Sequence, residues 1–212
     1  MGKVIAVANT KGGVGKSTTA VHLAYWLSRS QDVVFVNASF QEGVNPWLKE
    51  LSIPERQETD PDNLLDLIED LSSEYIIVDV PGVSELVRVV LDCCDAVLVP
   101  VKPTALDLSD CVKMLRIIDR KQKSRKDLLA AIFLSMVDKR SNALQDSQAY
   151  FRKHRIRLLD NYIRQLQVIA DAPLQYQTVF QMGSIAKQAA KDYQGLFEEL
   201  LTMMTTKGVA DA

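Results

Sequence analysis

The feature that most constrains this chain is a nine-residue stretch near its start, Thr10-Lys11-Gly12-Gly13-Val14-Gly15-Lys16-Ser17-Thr18. It is preceded by an apolar run at residues 3–9 and followed by a helical pattern at 18–30. Strand, glycine loop and helix in that order form the context a phosphate-binding loop requires. Glycines let the backbone curl round an anion with its N–H groups turned inward. The following helix adds unpaired amides and the positive end of its dipole. A bare Gly-Gly-x-Gly makes a tight turn as readily; Lys16-Ser17-Thr18 behind it decides for phosphate. Lys16 is expected to reach the β- and γ-phosphates, and the Ser17 hydroxyl to ligate Mg²⁺. Residues 11–18, including Gly12, Gly13, Val14, Gly15 and Thr18, are expected to cradle a nucleoside triphosphate. No G-x-G-x-x-G occurs, which argues against a dinucleotide-binding dehydrogenase. In one respect the loop departs from G-x-x-x-x-G-K-[ST]: Thr10 occupies the first glycine position, and a second lysine, Lys11, lies inside the loop.

The remaining pattern alternates short β-branched runs with longer helical stretches. Residues 3–9, 33–37, 75–80, 96–101 and 128–134 are near-continuously apolar, as strands buried on both faces of a parallel sheet are. Helices are expected at 18–30, 63–71 (capped by Asp62 or Asn63), 84–94 (capped by Ser84), 105–121 and 144–154. A long final helix is expected over 184–204, with Ile185, Ala189, Phe197 and Leu200 among its apolar positions. Residues 155–159 read as a last short strand. Residues 42–63, with Pro46, Pro54, Pro61 and many charges, read as an irregular excursion with at most a short helix near 47–51. The expected fold is α/β: one domain over 1–212, a doubly wound, mostly parallel sheet with helices on both faces.

A second carboxylate site follows from Tyr75-Ile76-Ile77-Val78-Asp79-Val80-Pro81-Gly82. An aspartate at the carboxyl end of a parallel strand beside a phosphate loop suits a magnesium-water ligand, and Gly82 would let the backbone move near the γ-phosphate. The stretch Leu134-Ser135-Met136-Val137-Asp138 follows the fifth apolar run, where base recognition falls in similar folds; Met136 or Asp138 is the expected contact.

Lys11-Gly12-Gly13-Val14-Gly15-Lys16-Ser17-Thr18, with its extra lysine, resembles the deviant Walker A box of the ParA/MinD family of ATPases. The resemblance extends over most of the chain. It implies ATP as the nucleotide and a homodimer with ATP sandwiched between protomers, the extra lysine, here Lys11, crossing to the partner's nucleotide. The family usually carries Asp-x-Asp-Pro-Gln at the end of its second strand. This chain has Asn37-Ala38-Ser39-Phe40-Gln41 there. Asn37, Ala38 and Ser39 occupy the catalytic segment beside Lys11, Lys16 and Asp79. Asn and Ser can hydrogen-bond a water but cannot take its proton. Hydrolysis by this chain is therefore expected to be slow or absent, although its family is one of ATPases.

The formal net charge is −2, so the chain is not globally basic, but positive charge clusters locally. Arg120, Lys123 and Arg125 form one group, Arg152, Lys153 and Arg155 another, and Lys187 lies downstream with Arg164 and Lys191. ParA-like members bind DNA non-specifically, which such residues could serve through phosphate contacts. The resemblance further implies a ParB-like or McdB-like adaptor and a cargo: a plasmid, a chromosome or a carboxysome. A MinD-like membrane switch would require a basic amphipathic C-terminal helix, which residues 196–212 lack. A metabolic ATP-dependent enzyme on the same fold would need further polar substrate contacts. No window spans a membrane, no targeting segment is visible, and the three cysteines, Cys93, Cys94 and Cys111, suit reduced buried thiols. The expected setting is cytoplasmic and nucleoid-associated.

Overall fold

The computed structural model describes residues 2–39, 42–154 and 156–210. Six strands, β1 (Lys3–Ala8), β2 (Val33–Asn37), β3 (Glu55–Gln57), β4 (Tyr75–Val80), β5 (Ala96–Val101) and β6 (Leu129–Leu134), form one sheet of order β3-β2-β4-β1-β5-β6. Every pairing in it is parallel. The five apolar runs became β1, β2, β4, β5 and β6 because each buries both faces. Along β1, Ile5 and Val7 face one core, and Val4, Ala6 and Ala8 face the other.

The first core lies beneath α1 (Lys16–Ser28), α2 (Asn45–Glu50) and α8 (Lys187–Ala210), with the short α7 (Gln167–Asp171) packed against it. The second lies beneath α3 (Pro61–Asp70), α4 (Ser84–Cys93) and α5 (Ala105–Gln122), with Phe151 of α6 (Ala143–Lys153) closing it. The sheet is thus covered on both sides.

Where the structure departs from the sequence expectation, the cause is local. β3 arises inside the supposedly irregular stretch, at the sheet edge, where only β2 pairs with it and polar Glu-Arg-Gln suffices. The cap of α3 is Asp60, not Asp62 or Asn63: its carboxylate accepts from Asp62 N–H at 2.9 Å, and Pro61 takes the first helical position. Helix α4 begins at Ser84 itself, with extended Val83 before it. Residues 183–186 form a 3₁₀ turn before α8, which leaves Ile185 74% exposed instead of in the core. In the expected strand at 155–159, Arg155 lies outside the described residues; the rest contributes a single bridge, Leu158 to Ile132.

Because all strands run the same way, their carboxyl ends converge on one edge, which carries the loop after β1, residues 38–39, Asp79 and the turn after β6. Residues 158–164 run alongside β6, with Ile163 N–H donating to Leu134 C=O. Helix α8 then runs antiparallel to them. Arg164 meets Gln188 and Asp192, while Asp160 and Asn161 N–H donate to Glu199 one end lower.

Candidate nucleotide-binding site

The loop after β1 is anchored before it curls. Asn9 donates to Pro100 C=O at 2.8 Å and accepts from Lys11 N–H at 3.1 Å. Val14 is buried, and its carbonyl accepts from Ser135 Oγ at 2.9 Å. Gly15 occupies the cap position of α1 at φ 91°, a left-handed conformation that a Cβ would strain. No side chain caps α1, so its first amides remain available to an anion. Lys16 Nζ reaches back across the loop to Lys11 C=O at 2.8 Å. Burial lowers the Lys16 pKa, opposed by Asp79. Opposite the loop, Gly82 is required by close approach: a Cβ there would lie 2.8 Å from Thr10 O.

A cavity of about 390 Å³ opens over this loop, lined by Gly12, Gly13, Gly15, Lys16, Ser17, Thr18, Ser39, Asp79, Pro81, Gly82 and Met136. Asp79 is buried, and one of its carboxylate oxygens, Oδ1, has no hydrogen-bond partner. Burial pushes its pKa up to about 6, against a Ser17 hydrogen bond and the Lys16 charge. A buried, orphaned carboxylate oxygen beside a hydroxyl and an ammonium fits a hydrated divalent cation. Ser17 and Asp79 are the residues that would hold Mg²⁺, and the loop amides with Lys16 would hold the phosphates.

The structure separates the three residues of the second-strand segment. Asn37 is fully buried; its amide donates to Asn45 Oδ1 at 2.9 Å and accepts from Ser39 N–H at 3.1 Å. Ala38 is fully buried in the second core. Neither lines the cavity, whereas Ser39 does. Among the described residues lining it, Asp79 is the sole carboxylate. Glu55 on β3, whose Oε1 lies 3.5 Å from the Asn37 amide, does not line the cavity, and burial raises its pKa.

Lys11 does not line its own cavity. Its ammonium is held by α5, 3.0 Å from Asp107 and 3.4 Å from Asp110. The hydrogen bond with Asp107 is the main reason its pKa is raised. Asp107 is itself buried and hydrogen-bonded to Thr104, which caps α5.

A second, apolar slot of about 190 Å³ adjoins the first across Gly15, Thr18 and Met136. Ile163, Leu166, Ile169 and Tyr193 contribute its walls. Met136 lines both spaces, in a left-handed conformation at φ 56°. Asp138 lines neither space because Arg140 takes its carboxylate, at 2.9 and 3.0 Å. Sequence reasoning missed the segment at 163–169, since it is short and comes beside the site only through pairing next to β6. Its one legible signal is the apolar spacing Ile163, Leu166, Ile169.

His22 does not line this slot but lies against two residues that do, Thr18 and Tyr193. Its Nε2 accepts from Val179 N–H at 3.1 Å, so Nδ1 carries the proton and donates to Thr18 C=O at 2.7 Å. The ring stacks on Tyr193 at 4.5 Å, and burial drives its pKa down to about 4.

The basic residues divide between two ends of the sheet. Arg120, Lys123 and Arg125 lie where α5 ends and β6 begins, and Arg152 and Lys153 where α6 ends, away from the cavity. Lys123 pairs with Asp119, and Arg125 with Asp127 and the carbonyls of Leu91 and Asp92. Lys187 starts α8 near the cavity end. Arg155 lies outside the described residues.

Comparison with known proteins agrees with this geometry. The family described as CobQ/CobB/MinD/ParA nucleotide binding domain matches residues 5–179. Maintenance of carboxysome distribution protein A from Gloeobacter kilaueensis is 31% identical over 207 residues, 93% of this chain and 94% of that protein. Its namesake from Halothiobacillus neapolitanus is 26% identical over 208 residues, covering 93% and 95%. Among solved structures, a putative plasmid partition protein of Borrelia burgdorferi bound to AMPPNP superimposes with a TM-score of 0.74 at 17% identity, covering 96% of this chain and 100% of that one. A phosphate loop at the head of a six-stranded parallel sheet and a family match over residues 5–179 lead to one conclusion: the chain belongs to the CobQ/CobB/MinD/ParA nucleotide-binding family.

Proposed function

We propose that this chain is an ATP-switched, homodimerising positioning ATPase. In this reading it binds ATP with Mg²⁺, associates non-specifically with DNA and moves a cargo through an adaptor protein. The names of two relatives and of one structural neighbour make a carboxysome or a plasmid the candidate cargo. The observation that carries the reading is the position of Lys11. It stands at the rim of the phosphate cavity yet outside its lining, tied to α5 by Asp107 and Asp110. A cation that does not serve its own phosphates can serve a partner's on leaving Asp107 and Asp110. Val83 and Leu106, 52% and 76% exposed, lie at the same edge and offer apolar surface to a second protomer.

Within one protomer, the loop amides and Lys16 bind and orient the phosphates, and Ser17 with Asp79 hold the cation. That cation, when bound, would neutralise charge between the phosphates. Among the described residues of the second-strand segment, none supplies a base for the attacking water. Asn37 spends its amide on Asn45 and Ser39, Ala38 is buried, and Ser39 carries no negative charge. Hydrolysis is therefore slow, and the ATP-bound state long-lived.

Substituting the one segment residue that lines the cavity tests this. Ser39→Asp is expected to raise steady-state ATP turnover by about 10²-fold, the lower range for a positioned general base. A wild type that already turns over as fast as the variant contradicts the reading.

A further inference from the structure

His22 is fully buried on α1, one turn beyond Thr18, and lines neither the phosphate cavity nor the apolar slot. Three residues that do line the slot are nevertheless tied to it. Its Nδ1 proton goes to the Thr18 carbonyl at 2.7 Å, and Thr18 lines both spaces. One face of its ring lies against Tyr193 at 4.5 Å, with the planes 14° apart. The Tyr193 hydroxyl is in turn hydrogen-bonded to the side chain of Thr19, the third lining residue. The ring is itself held from two further sides. Val179 N–H donates to Nε2 at 3.1 Å from 157 residues along the chain, and the Trp47 ring stands nearly perpendicular to the imidazole at 5.6 Å.

We propose that His22 is a positioning residue for the base of the bound nucleotide: it fixes the first turn of α1 against Tyr193 of α8, and so the width of the slot, without touching the ligand. The proposal rests on reading the slot as the seat of the base. That slot opens off the phosphate cavity across Gly15, Thr18 and Met136 and is walled mainly by apolar side chains, as suits a flat heterocycle carried by the phosphates.

A hydrocarbon side chain could fill the volume of His22 but not its role. Val179 offers a donor and Thr18 an acceptor, so the bridge needs one group that accepts at one end and donates at the other. Neutral imidazole does both from one rigid, flat ring. Phe would leave the buried Val179 N–H without its partner, and Gln would give Tyr193 no ring to lie on. Rigidity matters because a slot already formed in the free protein costs less to fill. The phosphate loop is anchored separately, by Asn9 on Pro100 and by Ser135 on Val14. A change at His22 should therefore fall on the base and leave the phosphates alone.

The test is calorimetric titration of the full chain with ADP·Mg²⁺ and with pyrophosphate·Mg²⁺, for wild type, His22→Phe and His22→Gln. Both variants are expected to bind ADP about ten-fold more weakly, the worth of about one hydrogen bond, while pyrophosphate binds as it does to wild type. An unchanged ADP affinity overturns the proposal. So do equal losses for the two ligands, which would make His22 a support of the fold as a whole. A second measurement needs no substitution. At equal multiples of the two dissociation constants, mass action stabilises the wild-type fold equally. Hydrogen exchange at the Val179 amide should then be slower with ADP than with pyrophosphate, and equal exchange overturns the proposal even where the variants do not fold. A wild type that binds ADP no more tightly than pyrophosphate removes the reading of the slot, and one that binds neither removes the nucleotide reading itself.

Discussion

His22 is fully buried, and both its ring nitrogens are used in the neutral form, by Thr18 and Val179. Its pKa falls from 6.5 to about 4 because burial disfavours the cation. Between those values the unfolded chain binds a proton that the folded chain refuses, so stability drops as pH falls through this window, by about 3 kcal/mol. Urea unfolding at pH 7 and pH 4.5 should show a smaller pH-dependent loss for His22→Gln than for wild type. An identical loss would place the titrating group elsewhere. That the glycine loop with Lys16, Ser17 and Thr18 would line one cavity could be read from the sequence, because those residues are contiguous and sit between a strand and a helix. The fate of Asn37, Ala38 and Ser39 could not, since only the exit path of β2 decides that Ser39 alone reaches the cavity.

Elements were legible to the extent that burial on both faces marks them. The five central strands announce themselves as apolar runs, but β3 does not, because an edge strand with one neighbour needs no apolar signature. The same reasoning explains α8. Its apolar residues Ala189, Leu196, Phe197 and Leu200 are fully buried against α1 and the sheet, while Ile185 precedes the helix and faces out. Truncating Phe197 to Ala should cost about 3–5 kcal/mol, whereas Ile185→Ala should change stability by less than about 0.5 kcal/mol. Thermal or denaturant unfolding of the two variants distinguishes them; equal losses would mean that α8 does not seal the first core. Because Tyr193 of α8 both stacks on His22 and walls the apolar slot, loosening this helix should also weaken nucleotide binding.

At the scale of the whole molecule, six parallel strands bring residues from distant parts of the sequence to one edge, and this is where reading the sequence alone stops. The slot at Ile163, Leu166 and Ile169 exists only once residues 158–164 lie beside β6 and α8 returns along them. The same edge carries Lys11, held on α5 by Asp107 and Asp110, with exposed Val83 and Leu106. The account holds that ATP joins two such edges. Sedimentation velocity of the full chain with ADP·Mg²⁺ and with ATP·Mg²⁺ tests this most directly. The predicted result is a monomer with ADP and a persistent dimer with ATP that Lys11→Ala fails to form; a wild type that sediments as a monomer with either nucleotide contradicts it.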